Sequence, residues 1–558
     1  MARAAAVAQN APDDITLTGL PMILAVVTLA FANFMVVLDM TIANVSVPNI
    51  AGGLAVSPSE GTWVITSYAV AEAITVPLTG WLASRFGAAK VFVACIGLFG
   101  LCSLLCGLAP SLGTLVIFRI LQGLSGGPMM PMSQTLLQRL VPPHLRPQTM
   151  GLWAMTTLVA PIMGPVLGGS ISDAFGWSWV FFINVPIAVL LVALALRTLP
   201  LKESTSRLPI DFIGLGLLIT WVGSLQIMLD KGEELDWFNS PIVIGLLVVA
   251  IVGFLAFLIW ELTDEHPIVD LRIFRHRGFA MACFAMSLTF AGMFSANVLI
   301  PLWLQTNQGY TASWAGYVTG FNGVLAIVAA PICAQLVTKT DPRRLVTLGV
   351  VWMAVIFFWR STLVQGLSFS QLVWPQLALG PAMPFFFIPV MSLAMATLSP
   401  SELAGGAGLL NFVRTTAGAF ATSMTTTAWT NAATIGRTAF VGRLNNAQGV
   451  IDNVQATGAS HGQALGMLDN LIQSQAVMLA TNKVFLAISL LMVVSVGAIW
   501  LAPKPTPGSM AAGEAGGTSP YAWVGPTTFW IAASSCSARN GLATTGLSRK
   551  RSGTPASP

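Results

Sequence analysis

Charge is what this sequence has least of. Of 558 residues, 26 are Lys or Arg and 21 are Asp or Glu, 8% in all, where a soluble globular domain carries roughly 25%. A water-soluble chain of this length could not cover its surface with so few, and disordered and coiled-coil chains need more of them. The four histidines (His144, His266, His276 and His461) fall in loops, and none has HExxH spacing. No GxxxxGK[ST] phosphate loop exists, so ATP is excluded as the energy source within this chain, and GxSxG is missing as well. The six cysteines form no CxxC pair or disulfide frame. Cys95, Cys102, Cys106, Cys283 and Cys333 lie in apolar stretches and read as small buried hydrophobes. No enzyme, cofactor or metal site is expected. The net charge of +5 does not imply nucleic acid, because where the positive charges sit matters more than their sum.

What is present is apolar. Hydrophobic residues make up 55% and the mean hydropathy is +0.77. The sequence predicts an all-α polytopic membrane protein with the lipid bilayer as its surroundings. The N-terminus lacks the layout of a cleaved signal peptide, so the first span is expected to stay. A span needs about 20 apolar residues. That ruler gives fourteen candidates, near 21–43, 62–83, 91–110, 114–138, 148–171, 177–199, 210–230, 239–261, 279–305, 314–337, 344–363, 372–397, 405–430 and 484–502. Placing both termini in the cytoplasm puts most basic residues inside, at Arg85 and Lys90, Arg139 and Arg146, Arg197 to Arg207, Arg272 to Arg277, and Lys339 to Arg344. Only Lys231, Arg437, Arg443 and Lys483 face out.

A repeat organises the spans. Leu82, Arg85 and Lys90 after span 2 have the spacing of Leu336, Lys339 and Arg344 after span 10. Pro143 to Gly151-Leu152 before span 5 is echoed by Pro400 to Gly408-Leu409 before span 13. Both pairings demand an offset of eight. The expected order is a cytoplasmic tail (1–20), a six-helix bundle (21–199), two inserted helices (210–261) and a second six-helix bundle (279–502). The second bundle carries a long polar periplasmic loop at 431–483. The tail at 503–558 is rich in Gly, Ser, Thr and Pro and is expected to be disordered. Parallel six-span halves around a central site are a transporter architecture.

Charges inside spans each cost about 2.5–3.5 kcal/mol on an insertion scale, so each asks for a reason. Asp39 lies in span 1, Glu72 in span 2, Arg119 in span 4 and Arg414 in span 13. Burial favours a neutral acid, and a neighbouring guanidinium favours the carboxylate. An acid whose partner changes with conformation can therefore load a proton on one side and release it on the other. Arg360, near the outer end of its span, reads as a snorkelling or structurally paired side chain. An intramembrane protease dyad of Asp39 and Glu72 is conceivable but finds no support in its setting. Ala160, Gly164, Gly168 and Ser172 recur every four residues, a small-residue stripe that lets a neighbouring helix approach closely.

The motifs LDMTIANVSVP, GWLASRFGAAK, RILQGLSGGP and APIMGPVLGG occur in that order. With them, residues 20–503 resemble the major facilitator superfamily, and within it the fourteen-span drug:proton antiporter group typified by EmrB multidrug exporters. The resemblance implies proton-driven export of varied amphipathic or hydrophobic drugs from the bacterial inner membrane by alternating access, powered by the proton motive force without a cofactor. It implies Asp39 as the proton-coupling acid and Arg119 as its electrostatic modulator, with Glu72 and Arg414 as further coupling or substrate contacts. Gly164, Pro165, Gly168 and Gly169 would form the tight contact between the halves, and Gly80, Arg85, Gly87 and Lys90 a cytoplasmic gate loop. Ser84 stands where the superfamily usually has an acid. A periplasmic adaptor and an outer-membrane channel are implied partners, with 431–483 as the docking element. The alternatives are a dedicated exporter of one metabolite, organic acid or antibiotic, and a non-transporting receptor or scaffold.

Overall fold

In lipid, backbone polar groups must be satisfied within the segment, which leaves helices as the solution for such apolar stretches. Every regular element among the described residues is a helix. The structure, a computed structural model, describes residues 16–503 except 204, 206–208, 266, 400–401 and 444–446. Arg207, His266, Pro400, most of the N-terminal tail and all but the first residue of the C-terminal tail lie outside the described residues.

Each of the fourteen candidate stretches contains helix. The first six hold α1 (Gly19–Gly53), the short α2 (Pro58–Gly61), α3 (Trp63–Thr75), α4 (Thr79–Phe86), α5 (Ala88–Gly107), α6 (Leu112–Gly126), α7 (Met129–Leu140), α8 (Arg146–Phe175), α9 (Trp179–Phe182) and α10 (Asn184–Thr198). The inserted pair is α11 (Phe212–Lys231) and α12 (Pro241–Thr263). The remainder holds α13 (Arg277–Asn307), α14 (Ala312–Lys339), α15 (Pro342–Arg360), α16 (Phe369–Leu379), α17 (Ala382–Met395), α18 (Leu403–Gly442), α19 (Ala447–Ala456) and α20 (His461–Trp500). Ten helical stretches among the described residues are long and apolar enough to cross a membrane. The candidates at 62–83, 114–138, 148–171 and 405–430 are not among those ten. Two of them are broken where Pro77 and Pro128 withhold a backbone donor, between α3 and α4 and between α6 and α7.

The sequence repeat has a three-dimensional counterpart. In the first set, α1 packs on α8 and α10, α3 on α6, and α5 on α6 and α10. In the second, α13 packs on α18 and α20, α14 on α16 and α17, and α15 on α17 and α20. This is the same arrangement displaced by eight spans. The two sets meet through α8 with α14 and through α4 and α7 with α18. The inserted α11 packs on α3 of one set and α18 of the other. Trp221 meets Phe412 edge-on at 5.7 Å, and the Trp237 indole donates to Thr427 Oγ1 at 2.9 Å. On the other flank, Lys231 Nζ donates to Thr62 Oγ1 at 2.7 Å and Thr66 donates to Asp230.

Loop contacts sort the connections to two ends of the bundle. At one end Leu17 N–H bonds Leu140 O (2.9 Å), Ala89 N–H bonds Glu203 Oε2 (3.2 Å), Arg275 pairs with Glu402 (3.1 Å), and Arg343 donates to Ala502 O (2.9 Å). All of these belong to connections expected to be cytoplasmic. At the other end, Lys231 bridges to Thr62, and the Ser474 hydroxyl donates to Gln365 Oε1 at 3.4 Å.

The segment 431–483 corrects one expectation. Much of it is helix rather than irregular loop. The helices α18 and α20 have 40 residues each, about 60 Å at 1.5 Å per residue, where a bilayer core is about 30 Å thick. Hydropathy stops at the first polar residues, but backbone hydrogen bonding does not. A Ser460–Gln463 capping box starts α20. Arg437 pairs with Asp469 at 2.6 Å, and Trp429 donates to Thr481 at 2.9 Å, so the two extensions brace each other.

Candidate functional site

Helix α6 approaches α3 closely because it presents glycine there. A Cβ on Gly123 would strike the Tyr68 carbonyl and lie 2.9 Å from Ala71 Cβ, and one on Gly127 would strike Thr75. This approach carries Arg119, one turn before Gly123, between α1 and α3. Its Nη1 donates to Asp39 Oδ2 at 2.6 Å and to Gln122 Oε1 at 2.8 Å. Its Nε donates to Val64 O at 3.0 Å, and its guanidinium lies 4.2 Å from the Tyr68 ring centroid. The other carboxylate oxygen of Asp39 accepts from Gln122 Nε2 (3.1 Å) and Asn184 Nδ2 (2.6 Å). Asn184 also donates to Ser103 Oγ at 3.1 Å. Asp39 and Arg119 are each 1% exposed. The pair is thus closed off and hydrogen-bonded on both sides, which is what a buried ion pair requires. Gln122 and Asn184 were not singled out by sequence. The available signal was a neutral amide inside RILQGL and FFINVP.

One turn beyond Tyr68 on α3, Glu72 is 8% exposed, and its carboxylate has no hydrogen-bond partner among the described residues. Arg414 of α18 interacts with it electrostatically from the other set of helices. Arg414 is 4% exposed, and its Nε and Nη1 lack partners. Its Nη2 lies against Met130, and its guanidinium is 5.3 Å from the Phe290 ring. Nearby, Asn411 donates to Gln134 Oε1 across the same seam at 2.7 Å. Asp39 and Glu72 share no hydrogen bond, so no acid dyad forms.

The glycine stripe packs elsewhere than expected. A Cβ on Gly164 would overlap Thr41, and one on Gly168 would lie 3.1 Å from Ile42 O. Both therefore hold α8 against α1 within the first set, not against the second set. Gly169 has nothing within 4 Å, and the Pro165 side chain lies outside what is described. Asn33 to Thr156 and Thr157 (2.9 and 2.8 Å) and Asn49 to Ser172 (2.7 Å) complete the α1–α8 seam. Contact from α8 to the other set comes nearer its start. There, a Cβ on Gly151 would lie 3.4 Å from Ile388, and Trp153 stacks on Phe387 at 6.0 Å. A small-residue stripe announces a close neighbour without naming it.

The gate-loop residues run from α4 (Gly80, Arg85) through the turn at Gly87 to the start of α5 (Lys90). Gly87 has φ +91°, a left-handed conformation that favours glycine. Gly80 faces Gly405 of α18 so closely that a Cβ would lie 2.8 Å from Gly405 Cα. Arg85 lies 5.9 Å from the Trp81 ring, and Lys90 is exposed. An acid does lie near this loop, although not at the position of Ser84. Glu203, after α10, accepts from the Ala89 amide at the start of α5. Arg360 also departs from expectation, being 2% exposed with both Nη atoms unpartnered rather than snorkelling or paired.

Comparison with known proteins places this geometry. The family model "Major Facilitator Superfamily" matches residues 29–422. The chain is 43% identical to "Multidrug export protein EmrB" of Escherichia coli, over 90% of this chain and 98% of that protein. It is 40% identical to "Fatty acid resistance protein FarB" of Neisseria gonorrhoeae, over 88% and 97%. Among solved structures, the human organic anion transporter MFSD10 superposes with a TM-score of 0.55 at 15% identity, covering 86% of this chain and 100% of that one. The proton:xylose symporter XylE superposes with a TM-score of 0.54 at 14% identity, covering 88% and 98%. These two likenesses speak to the fold alone. The family match spans most of the chain, the relatives align along nearly all of it, and its helices repeat with an offset of eight: the chain belongs to the major facilitator superfamily.

Proposed function

We propose that the chain is a drug:H+ antiporter, a secondary transporter that exports hydrophobic or amphipathic toxic compounds across the bacterial inner membrane by alternating access. The observation that carries this reading is the 43% identity with the E. coli multidrug export protein along nearly the whole of both chains. In this reading the fourteen helical stretches are fourteen crossings, six, two and six, with both termini cytoplasmic. The two-ended sorting of the loops and the placement of Lys and Arg support it. The energy suffices: each proton entering gains about 2.3 kcal/mol per 100 mV, and a unit of pH gradient adds about 1.4 kcal/mol.

Asp39 is the coupling acid and Arg119 its switchable counter-charge. In the conformation described, Arg119, Gln122 and Asn184 all donate hydrogen bonds to Asp39. Movement of α6 that withdraws Arg119 leaves an acid in apolar surroundings, where taking up a proton is favourable. Glu72 and Arg414 face each other across the seam that opens and closes, a placement suited to sensing substrate. Gly80, Arg85, Gly87 and Lys90 form the cytoplasmic gate where α4 meets α18. The braced extensions of α18 and α20 offer a rigid surface to a periplasmic adaptor that leads to an outer-membrane channel.

The test is drug-induced proton movement in inverted vesicles, with growth inhibition by many unrelated compounds measured with and without the gene. Protection against several unrelated compounds is expected, and protection against one alone overturns the multidrug reading. A second reading, a dedicated exporter of an organic acid, is favoured by Arg414, whose unpartnered nitrogens at the seam suit a carboxylate, and by the 40% identity with the fatty acid resistance protein.

A further inference from the structure

Inside the second helical set lies a buried cation that the transport reading does not use. Arg360 is the last residue of α15. Its guanidinium lies 5.5 Å from the Phe357 ring and 5.9 Å from that of Phe485. No carboxylate among the described residues is close enough to interact with it, and neither Nη1 nor Nη2 has a hydrogen-bond partner. A guanidinium does not escape such a site by losing its proton.

The compensation within the chain is small. Carbonyls at a helix C-terminus favour a cation, and a desolvated aromatic face adds to this, but burying an ion costs more than these weak contacts return. The site as built therefore favours an anionic partner.

Arg360 borders a cavity of about 20 Å³, walled by Ile300 and Trp303 of α13, Val318 of α14, and Leu372, Pro375 and Gln376 of α16. About 10–15 Å³ is enough for one water-sized body, so the space fits one small ion and excludes a drug or a lipid headgroup. A water would fill it but would not neutralise the charge. Trp303 and Gln376 are the wall residues with neutral N–H donors. Gln376 is 3% exposed, and its side chain has no hydrogen-bond partner among the described residues.

We propose that Arg360, with the Gln376 amide, binds a single chloride-sized inorganic anion inside the second bundle. The ion ties the end of α15 to α16 and is separate from the charges at Asp39 and Glu72. The experiment is thermal unfolding of the purified full chain in neutral detergent, at fixed ionic strength, with gluconate exchanged stepwise for chloride or bromide. A saturable rise in unfolding temperature is expected. It should be lost in Arg360→Met and right-shifted in Gln376→Leu, while proton coupling through Asp39 remains. No halide dependence in the unaltered chain overturns the proposal, as does an undiminished rise in Arg360→Met or stabilisation by anionic lipid in place of halide. Should Arg360→Met fail to fold, the halide series on the unaltered chain and on Gln376→Leu decides the matter: a saturable rise shifted by that substitution supports the site, and its absence or lack of shift overturns it.

Discussion

Two buried charge sites lie one helical turn apart along α3 and are built on opposite rules. At Tyr68 the neighbours are Arg119 and Asp39, an ion pair enclosed and hydrogen-bonded through Gln122, Asn184 and Val64, all from one half, while the Tyr68 hydroxyl and Asn184 Oδ1 have no partner among the described residues. At Glu72 the counter-charge is Arg414 from the other half, whose Nε and Nη1 have no hydrogen-bond partner among the described residues. The ion pair of the first site draws all its partners from its own half. The second depends on how the halves stand. A lock and a sensor have these contrasting needs.

The largest effect expected to break this contrast is that of Asp39→Asn. Removing one partner of a buried pair costs about 3–5 kcal/mol, so unfolding temperature in detergent should fall sharply and drug-driven proton movement vanish. A double Asp39→Asn, Arg119→Gln chain should regain stability but not coupling. Next comes Gly164→Leu, which forces α8 off Thr41 beside the closed site. Overpacking of this kind costs about 1–3 kcal/mol, whereas Gly169→Ala, into open space, should unfold like the unaltered chain. Arg414→Gln should cost less than Asp39→Asn, because losing the counter-charge of Glu72 is offset by removing unpartnered nitrogens worth about 1 kcal/mol, while export in the drug panel falls. Glu72→Gln should cost less stability than Asp39→Asn and alter the dependence of export on external pH. A stability loss as large as that of Asp39→Asn would make the two sites equivalent.

The smallest effect sits at the foot of α18, the helix that bears Arg414. Burial alone would raise the Glu402 carboxyl, but hydrogen bonds from Ser399 and the His276 ring outweigh it and hold the group below its ordinary value of 4.5. A lowered acid contributes stability that is fully present above 4.5 and fades as pH falls through the folded value. Glu402→Gln should therefore lower the unfolding temperature slightly at neutral pH and flatten its fall on the acid side.

Sequence made the closed site half legible. Asp39 and Arg119 stand out because charge inside an apolar run is costly. Gln122 and Asn184 do not, since a neutral amide carries little such signal and their convergence depends on how α1, α6 and α10 pack. The repeat and the helical stretches were legible for the same reason as the charges, through composition and spacing. The partner of the Gly164–Gly168 stripe was not, because closeness along one helix says nothing about which neighbour fills it. Helix beyond the bilayer in 431–483 escaped a ruler that measures hydropathy. Glu203 escaped because an acid outside its motif position carries no mark.

The inserted pair gives the transporter a handedness toward its lipid. The two halves meet along two lateral seams, α3–α4 with α18 and α8 with α14, and α11 lies over the first of these with Trp221, Ser423 and Trp237 closing it. The second seam has no such cover among the contacts of α11 and α12. Any change at the α4–α18 seam must therefore displace α11 as well, whereas the other seam rests on the direct packing of α8 against α14.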